Sequence, residues 1–357
     1  MTAGPLDLSV LYRGPLASCN YDCPYCPFAK RRDDPAALRA DRAALERFVD
    51  WVVRNPHGDR VSVLFTPWGE ALTRSWYRRA LLRLAGLPQV GRVAIQTNLA
   101  ARLDFLADAD ADQRRRLAFW ATYHPGEVDQ ETFLRRCGVL RTLGVRFSVG
   151  VVGLPAHLGP ARALRAALPD DVYLWVNAAD GHRYDAAQEQ TWTEIDPLFG
   201  YSVRPHASAG RSCRTGESVV SVDGDGTVRR CHFVAAPLGN LYDGSYRSAL
   251  GPRPCPLATC DCHIGYVHLR TVPLYDVFAG GILERIPVTD ALPVTGPPGR
   301  RSAGLAGDPF DRGEHPAGAV LGGDPPRQPP RPLGVLRLVE HAPHGCGQCA
   351  GGQPPAG

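Results

Sequence analysis

Short apolar runs alternate with amphipathic segments along the first half of the chain. The apolar runs, rich in β-branched and aromatic residues, are 8–12, 61–65, 93–97, 117–122, 145–151 and 172–177. The amphipathic segments are 35–54, 72–85, 128–143 and 160–167. Short strands that alternate with helices predict βαβ units and a parallel sheet. Six such strands are enough for a partial, open (β/α)6 version of a TIM-like barrel, so we predict an α/β fold.

The composition changes along the second half of the chain. From about Gly200 the sequence is rich in Gly, Cys and turn residues, and the Asp-Gly pairs within 219–228 predict a β-hairpin. A helical segment is predicted over 274–284. Beyond Pro293 the sequence is rich in Pro and Gly and does not bury enough apolar area to offset chain entropy. We therefore predict a barrel over 1–199, a small Cys-rich module over 200–290 and a disordered tail over 291–357.

Charge and hydropathy argue against several classes of protein. The net charge is only +4, and the basic run Lys30-Arg31-Arg32 is followed at once by two aspartates, so we expect no nucleic-acid partner. No stretch approaches 18 consecutive apolar residues, and the first 15 residues lack the features of a signal peptide, so we expect no membrane partner. The chain has 11 cysteines, which is an odd number, and most of them are clustered in the sequence. That usage favours metal binding or redox chemistry in a reducing cytoplasm over a disulfide framework.

Three cysteines lie in one loop directly after the first predicted strand. Cys19, Cys23 and Cys26 have the spacing Cys-x3-Cys-x2-Cys, and Tyr25 precedes the third cysteine. Three thiolates this close would hold three irons of a [4Fe–4S] cluster and leave the fourth iron open, whereas clusters used only for electron transfer usually have four protein thiolates. An open metal position is typical of a site that binds substrate. A zinc site with a distant fourth ligand is the alternative interpretation.

This spacing, with an aromatic residue before the third cysteine, resembles the radical S-adenosylmethionine (SAM) superfamily. The resemblance implies that Cys19, Cys23 and Cys26 bind a catalytic [4Fe–4S] cluster whose open iron is chelated by the amino and carboxylate groups of SAM. A reductant such as ferredoxin or flavodoxin would reduce the cluster. SAM would then be cleaved to methionine and a 5′-deoxyadenosyl radical, which removes a hydrogen atom from the substrate. The cofactor supplies this chemistry, and the implied substrate is a peptide or a small metabolite.

Polar residues follow the predicted strands at the edge where barrel enzymes place their chemistry. Trp68-Gly69-Glu70 stands where many members of the family have Gly-Gly-Glu, whose backbone and carboxylate meet the SAM amino group. Trp68 departs from that pattern, as does Leu99, which follows Asn98 where Gly is usual. Each residue taken alone is also compatible with a satisfied polar position in the core. Taken together, these residues resemble the lining of a SAM pocket. The resemblance implies that the pocket is lined by Tyr25, Trp68, Gly69, Glu70, Asn98, Thr122, His124, Ser148 and Asn177.

Five more cysteines fall in the second module. Cys213 is followed by twelve residues, Gly226, four residues and Cys231, and then comes a Cys-rich cluster. This arrangement resembles the SPASM and twitch modules that follow radical SAM barrels and hold extra clusters. Five thiols are too few for two fully ligated clusters. The resemblance therefore implies one auxiliary [4Fe–4S] cluster, and the ligands would be Cys213, Cys231, Cys255 and either Cys260 or Cys262. A zinc site of four Cys, or of Cys with His232 or His263, is the alternative.

A second class of function also fits the cysteines. The chain is then a non-catalytic iron–sulfur or zinc protein that acts as an electron carrier or a scaffold. A carrier needs a fourth cysteine for the first cluster, and none lies near Cys26 in sequence. In the tail, Cys346 and Cys349 with two nearby histidines could bind zinc, and the sequence leaves their role open.

Overall fold

The structure is a computed structural model that describes residues 4–28 and 32–288. Its eleven described strands are β1 (Asp7–Arg13), β2 (Arg60–Phe65), β3 (Val90–Thr97), β4 (Leu117–Thr122), β5 (Arg146–Val152), β6 (Leu174–Asn177), β7 (His206–Ala207), β8 (Val219–Asp223), β9 (Thr227–Arg229), β10 (Pro237–Asn240) and β11 (Thr259–Cys260). Its described helices are α1 (Pro35–Arg54), α2 (Ser75–Ala85), α3 (Ala111–Arg116), α4 (Gln130–Thr142), α5 (Leu158–Ala167), α6 (Ala186–Thr193), α7 (Gly200–Val203), α8 (His263–Tyr266) and α9 (Leu274–Phe278).

Nine of the strands form one open sheet in the order β10-β9-β8-β1-β2-β3-β4-β5-β6, and β7 pairs with β11 separately. The strands β1 to β6 are parallel and adjacent in chain order. Each strand is reached from the one before by a crossover that carries a helix, as the alternation of apolar and amphipathic segments predicts. The predicted α/β class with a partial, open barrel is confirmed. The carboxyl ends of the six strands share one edge of the sheet.

The two faces of the sheet pack against different parts of the chain. The outer face packs against the helices, and its core includes Phe48 of α1, Leu81 of α2 and Phe133 of α4. The opposite face, called the inner face, is covered by apolar side chains between residues 264 and 283. The inner face is formed by Leu11, Leu64, Ala94, Ala118, Trp120 and Trp175. Both faces of the parallel strands are therefore buried, which explains why the strands read as continuous apolar runs.

Four helices were not predicted. Two of them, α7 and α8, have only four residues each, and the other two, α3 and α6, present no broad apolar face. No residue of α3 is buried, and in α6 only Trp192 is buried. Both begin with a reciprocal capping box, in which Asp110 pairs with Gln113 and Asp185 pairs with Gln188. Those Asp-x-x-Gln pairs are the sequence signal that marks the two helices.

Several predicted boundaries shift for local reasons. The helix predicted over 72–85 starts instead at Ser75, after a short 3-10 turn over Ala71–Thr73 whose first residues are held by the Glu70 side chain. The helix predicted over 274–284 ends at Phe278, since Ala279 has a φ of 40° and leaves the helical region. The other predicted strands and helices differ from the structure by no more than a few residues at their ends.

The predicted hairpin is present, and it joins the main sheet. β8 and β9 pair antiparallel, and Gly226 between them has a φ of 89°, in the region that favours glycine. β8 also pairs parallel with β1, so the second module continues the sheet of the first. The division at residues 199 and 200 stays a prediction. The predicted tail, with Cys346 and Cys349, lies outside the described residues, and no described helix is long and apolar enough to cross a membrane.

Candidate functional site

The loop that carries Cys19, Cys23 and Cys26 leaves the carboxyl end of β1. Its first part is held by one carboxylate oxygen, since Asp33 Oδ2 accepts hydrogen bonds from the backbone N–H of Ala17 at 2.9 Å and of Ser18 at 2.8 Å, and from the Ser18 hydroxyl at 2.6 Å. The backbone N–H of Cys26 donates to the carbonyl of Cys23 at 3.1 Å, which closes a turn between these two ligand candidates. The sequence therefore folds the three cysteines into one compact loop.

The three thiols of this loop influence one another. Burial raises the pKa of Cys23 to about 12, and the negative charges of Glu127 and of the Cys26 and Cys19 thiolates raise it further. Burial also raises the pKa of Cys19, with Glu70 and Cys26 acting in the same direction. These two thiols are therefore protonated at neutral pH in the metal-free protein, and a metal that binds them must release their protons.

The loop after β2 packs backbone against backbone on the cysteine loop. The N–H of Gly69 donates to the Leu16 carbonyl at 3.3 Å, and the N–H of Glu70 donates to the Ser18 carbonyl at 3.1 Å. A Cβ atom at position 69 would lie 2.0 Å from the Ser18 carbonyl oxygen. Only glycine permits this approach. The ring of Trp68, next to Gly69, lies under the Arg13 guanidinium, 4.1 Å from ring centroid to carbon.

Glu70 is buried, and its carboxylate binds three protein donors. Oε1 accepts hydrogen bonds from the Leu72 N–H at 2.9 Å and from the Thr97 hydroxyl at 2.7 Å, and Oε2 accepts from the Asn98 N–H at 2.6 Å. Burial raises the pKa of Glu70 to about 7 although all three hydrogen bonds lower it. The carboxylate therefore ties the loop after β2 to the end of β3. A contact between Glu70 and SAM stays a prediction.

Asn98 connects the end of β3 to the cysteine loop. Its side-chain amide donates to Asn20 Oδ1 at 3.0 Å and points to Cys19 Sγ at 3.7 Å. The next residue, Leu99, has a φ of 58°, in the left-handed region that favours glycine. The backbone at Leu99 therefore has a conformation that glycine favours, at the position where the sequence resemblance leads one to expect Gly.

His124, after β4, reaches the same loop from the other side. Its Nδ1 lies 3.0 Å from the Tyr25 hydroxyl and 3.4 Å from Cys23 Sγ. Burial lowers the pKa of His124 to about 4, and the nearby His157 lowers it further, so the ring is neutral at pH 7. Thr122, at the end of β4, is half-buried on the inner face. The fold thus brings residues that lie at or just after the carboxyl ends of β1, β2, β3 and β4 together around the three thiols.

The two remaining residues of the predicted SAM pocket form hydrogen bonds with Glu284 and Arg285. Ser148 is fully buried, and its Oγ donates to the Glu284 carbonyl at 2.9 Å and accepts from Trp175 Nε1 at 3.1 Å. Asn177 Oδ1 accepts a 2.7 Å hydrogen bond from Arg285 Nη1. At Gly150, within β5, a Cβ would lie 2.1 Å from the Trp175 ring, so that side chain fills the space beside the backbone.

The five cysteines of the second module form a separate cluster. Cys213 and Cys231 are buried, and Cys255, Cys260 and Cys262 are half-buried. Burial raises the pKa of Cys260, and the thiolates of all four other cysteines raise it further. Burial also raises the pKa of Cys262, whereas the charges of Arg13 and Arg285 lower it. Within residues 4–28 and 32–288, no three His, Cys, Asp or Glu side chains form a ready-made site for a single metal ion.

The histidine next to Cys231 contacts β8 and the residue that follows β2. His232 Nδ1 lies 2.5 Å from the Ser221 hydroxyl on β8, and Nε2 lies 3.1 Å from the Thr66 hydroxyl, directly after β2. Both ring nitrogens are therefore engaged by hydroxyl groups, which argues against His232 as the ligand of a zinc site. Sequence reasoning considered His232 only as a ligand and had no signal for this contact, because its partners are distant along the chain.

No protein-family model matches the chain, and no curated protein matches it. Among solved structures, anSMEcpe with bound AdoMet is similar at 14% identity over 68% of this chain and 79% of that chain, with a TM-score of 0.45. The same protein with bound AdoMet and the Cp18Cys peptide gives 16% identity over 68% and 82%, with a TM-score of 0.44. BtrN in complex with AdoMet and 2-DOIA gives 16% identity over 70% and 83%, with a TM-score of 0.34. These likenesses extend over about two thirds of the chain.

Proposed function

We propose that this chain is a radical SAM enzyme. The observation that carries the proposal is the place of the Cys-x3-Cys-x2-Cys loop at the carboxyl edge of a parallel sheet. Asn98 after β3 approaches Cys19 Sγ at 3.7 Å, and His124 after β4 approaches Cys23 Sγ at 3.4 Å. The carboxyl edge of such a sheet is where barrel enzymes bind and transform their substrates.

The donors present fit a [4Fe–4S] cluster held by three protein ligands. Thiolates are the ligands of these clusters, and the three thiols of the loop lie within electrostatic reach of one another. A cubane presents a different iron to each thiolate, so its ligands need not converge on one point as they do around a single zinc ion. Cys19, Cys23 and Cys26 would hold three irons. With SAM bound, the reduced centre would supply a 5′-deoxyadenosyl radical for hydrogen abstraction.

The surrounding residues would bind and orient SAM. The backbone at Gly69 and Glu70 lies directly against the cysteine loop, and the Trp68 ring packs against Phe28, two residues after Cys26, with the ring centroids 5.2 Å apart. Tyr25 and His124 form the opposite wall, where a neutral imidazole does not repel the sulfonium charge. Thr122 and Asn98 complete the rim. Ser148 and Asn177 remain candidates for the same pocket, although the hydroxyl and the amide oxygen already have protein partners.

The second module would hold an auxiliary [4Fe–4S] cluster. Cys260 is within electrostatic reach of all four other cysteines, and Cys262 is also influenced by Arg13 and Arg285 on the inner face. We propose Cys260 as the fourth ligand, because its neighbours include Cys213, Cys231 and Cys255. A reductant such as ferredoxin or flavodoxin in the cytoplasm would supply electrons, and the substrate would be a peptide or a small metabolite.

Anaerobic reconstitution tests this proposal. We expect iron and sulfide in equal amounts, and we expect the spectrum of the reduced cluster to change when SAM is added, because SAM would occupy the open iron. The triple variant Cys19→Ala, Cys23→Ala, Cys26→Ala should lose that response. An unchanged spectrum in the loaded wild-type protein would favour an electron carrier or a scaffold instead.

A further inference from the structure

Arg285 is a buried cation that reaches the inner face from the end of the described chain. Its side chain is 2% exposed, and its guanidinium carbon lies 4.5 Å from the Trp175 ring centroid and 5.5 Å from that of Trp120. Nη1 donates to Asn177 Oδ1, while the buried Nε has no hydrogen-bond partner. Only part of the donor capacity of this guanidinium is used.

The described part of the chain provides no ion-pair partner for Arg285. The buried Asp196 lies within its electrostatic reach, but the Asp196 carboxylate already accepts from Tyr173 Oη at 2.6 Å, from the Val176 N–H at 2.8 Å and from the Leu198 N–H at 2.9 Å. Neighbouring Glu284 pairs with Arg146 at 2.6 Å, so the nearest acidic residue along the chain is engaged elsewhere. A buried guanidinium without a counter-ion is costly.

Arg13 is a second arginine on the same face. It lies two residues beyond Leu11 on β1, and alternate residues of a strand face the same side. Its Nε donates to the Thr66 carbonyl at 3.0 Å, and its guanidinium stacks on Trp68. Burial lowers the pKa of Arg13 to about 10, and the charge of Cys262, which Arg285 also influences, acts in the opposite direction. Among the described residues Arg13 too forms no ion pair within 4.0 Å.

We propose that Arg13 and Arg285 form an anion-binding subsite on the inner face, and that it binds a carboxylate or phosphate group of the substrate. The planar fork of arginine matches both groups. Asn177 and Thr122, at the ends of β6 and β4, lie on the same face, so a group bound here would be held beside the proposed SAM pocket. That the anion belongs to the substrate rests on the proposed function, whereas the subsite itself does not.

Calorimetric titration of the full, anaerobically reconstituted chain tests the subsite. The probes are inorganic phosphate and acetate, added at constant ionic strength against a chloride background. We expect one or both to bind, and we expect Arg285→Gln and Arg13→Gln each to weaken binding about tenfold or more, since hydrogen bonds to charged groups are strong. The matched control is Arg102→Gln, because Arg102 is exposed and pairs with Asp104 at the surface. Arg285→Lys, which keeps the charge, replaces Arg285→Gln if that variant does not fold.

The two probes and two further titrations separate the possible sources of the anion. Binding of phosphate alone or of acetate alone would support the subsite and identify its group. Equal binding by the wild type and both arginine variants, or no binding at all, would overturn it. Loss of binding under saturating SAM would assign the arginines to the cofactor's carboxylate, and binding only in cluster-free protein would make them counter-charges of the thiolates. Either result overturns the substrate assignment. The titration measures anion binding and not SAM cleavage. Its result is therefore valid even if the chain does not cleave SAM.

Discussion

The carboxylate of Glu70 accepts a 2.6 Å hydrogen bond from the backbone N–H of Asn98. This contact joins the loop after β2 to the end of β3. The Asn98 side chain then reaches Asn20 and Cys19 in the cysteine loop. One buried carboxylate therefore organises one side of the candidate site, whatever further contact it makes with a ligand.

The burial of Glu70 makes its contribution to stability depend on pH. The pKa rises from 4.5 in the unfolded chain to about 7 in the folded protein, so the folded state binds this proton more tightly. The stabilisation that Glu70 gains from this tighter proton binding is therefore full below pH 4.5, the pKa of the unfolded chain, and is lost as the pH rises through about 7, the pKa of the folded protein. Gln does not titrate. We expect the free energy of unfolding of the wild type, minus that of Glu70→Gln, to fall by about 2 kcal/mol between roughly pH 5.5 and 8.

Urea unfolding of the full chain under anaerobic conditions measures this difference. Glu131→Gln is the matched control, since Glu131 is exposed on α4 and should give a difference that hardly changes with pH. Glu70→Gln should also be less stable at every pH, because a carboxamide cannot accept all three hydrogen bonds. A wild-type-to-variant difference that stays constant from acid to alkaline pH would show that Glu70 is not buried as described.

The sheet could be predicted from the sequence, because β1 to β6 are continuous apolar runs separated by helical segments. The predicted helix over 35–54 coincides with α1, where Asp34 caps the first turn. The short helices α3 and α6 escaped prediction because pattern recognition depends on an apolar face, and theirs is narrow or missing. The starts of these two helices are instead marked by their capping residues, Asp110 with Gln113 and Asp185 with Gln188.

The candidate site could be predicted only where its residues are close in sequence or fall at strand ends. The three cysteines and the Trp68-Gly69-Glu70 loop were found in this way. Arg285 was missed, because it reaches Asn177 from more than a hundred residues away and belongs to no periodic pattern. The partners of Ser148 were missed for the same reason. Long-range contacts of single polar side chains leave no local signal in the sequence.

Gly69→Ala should disrupt the candidate site more than the rest of the fold. The added Cβ would meet the Ser18 carbonyl at 2.0 Å, and neither backbone segment moves easily. We expect a loss of roughly 1–3 kcal/mol in unfolding free energy and less iron after reconstitution, measured by urea unfolding and iron analysis. Gly138→Ala is the control. Its Cβ meets nothing within 4 Å on the exposed side of α4, so it should stabilise by up to about 1 kcal/mol. Similar effects of the two substitutions would refute the close packing.

Single cysteine substitutions test the ligands of the second module. In the protein that lacks Cys19, Cys23 and Cys26, we expect about four irons with matching sulfide. Cys260→Ala in that background should lose most of this iron, because Cys260 lies with Cys213, Cys231 and Cys255. Cys262→Ala should keep it. Loss of iron in Cys262→Ala but not in Cys260→Ala would identify Cys262 as the ligand. Bound zinc without sulfide would show that the module is a zinc site.

The central claim is that three thiolates hold a cluster which cleaves SAM. The most direct measurement is the amount of 5′-deoxyadenosine formed when the anaerobically reconstituted chain is mixed with SAM and dithionite. We predict formation of 5′-deoxyadenosine and methionine by the wild type, and none above background by the variant in which Cys19, Cys23 and Cys26 are all Ala. Arg102→Gln should behave as the wild type. Cleavage that persists in the triple variant, or its absence from wild-type protein with a full complement of iron and sulfide, would contradict the proposed function.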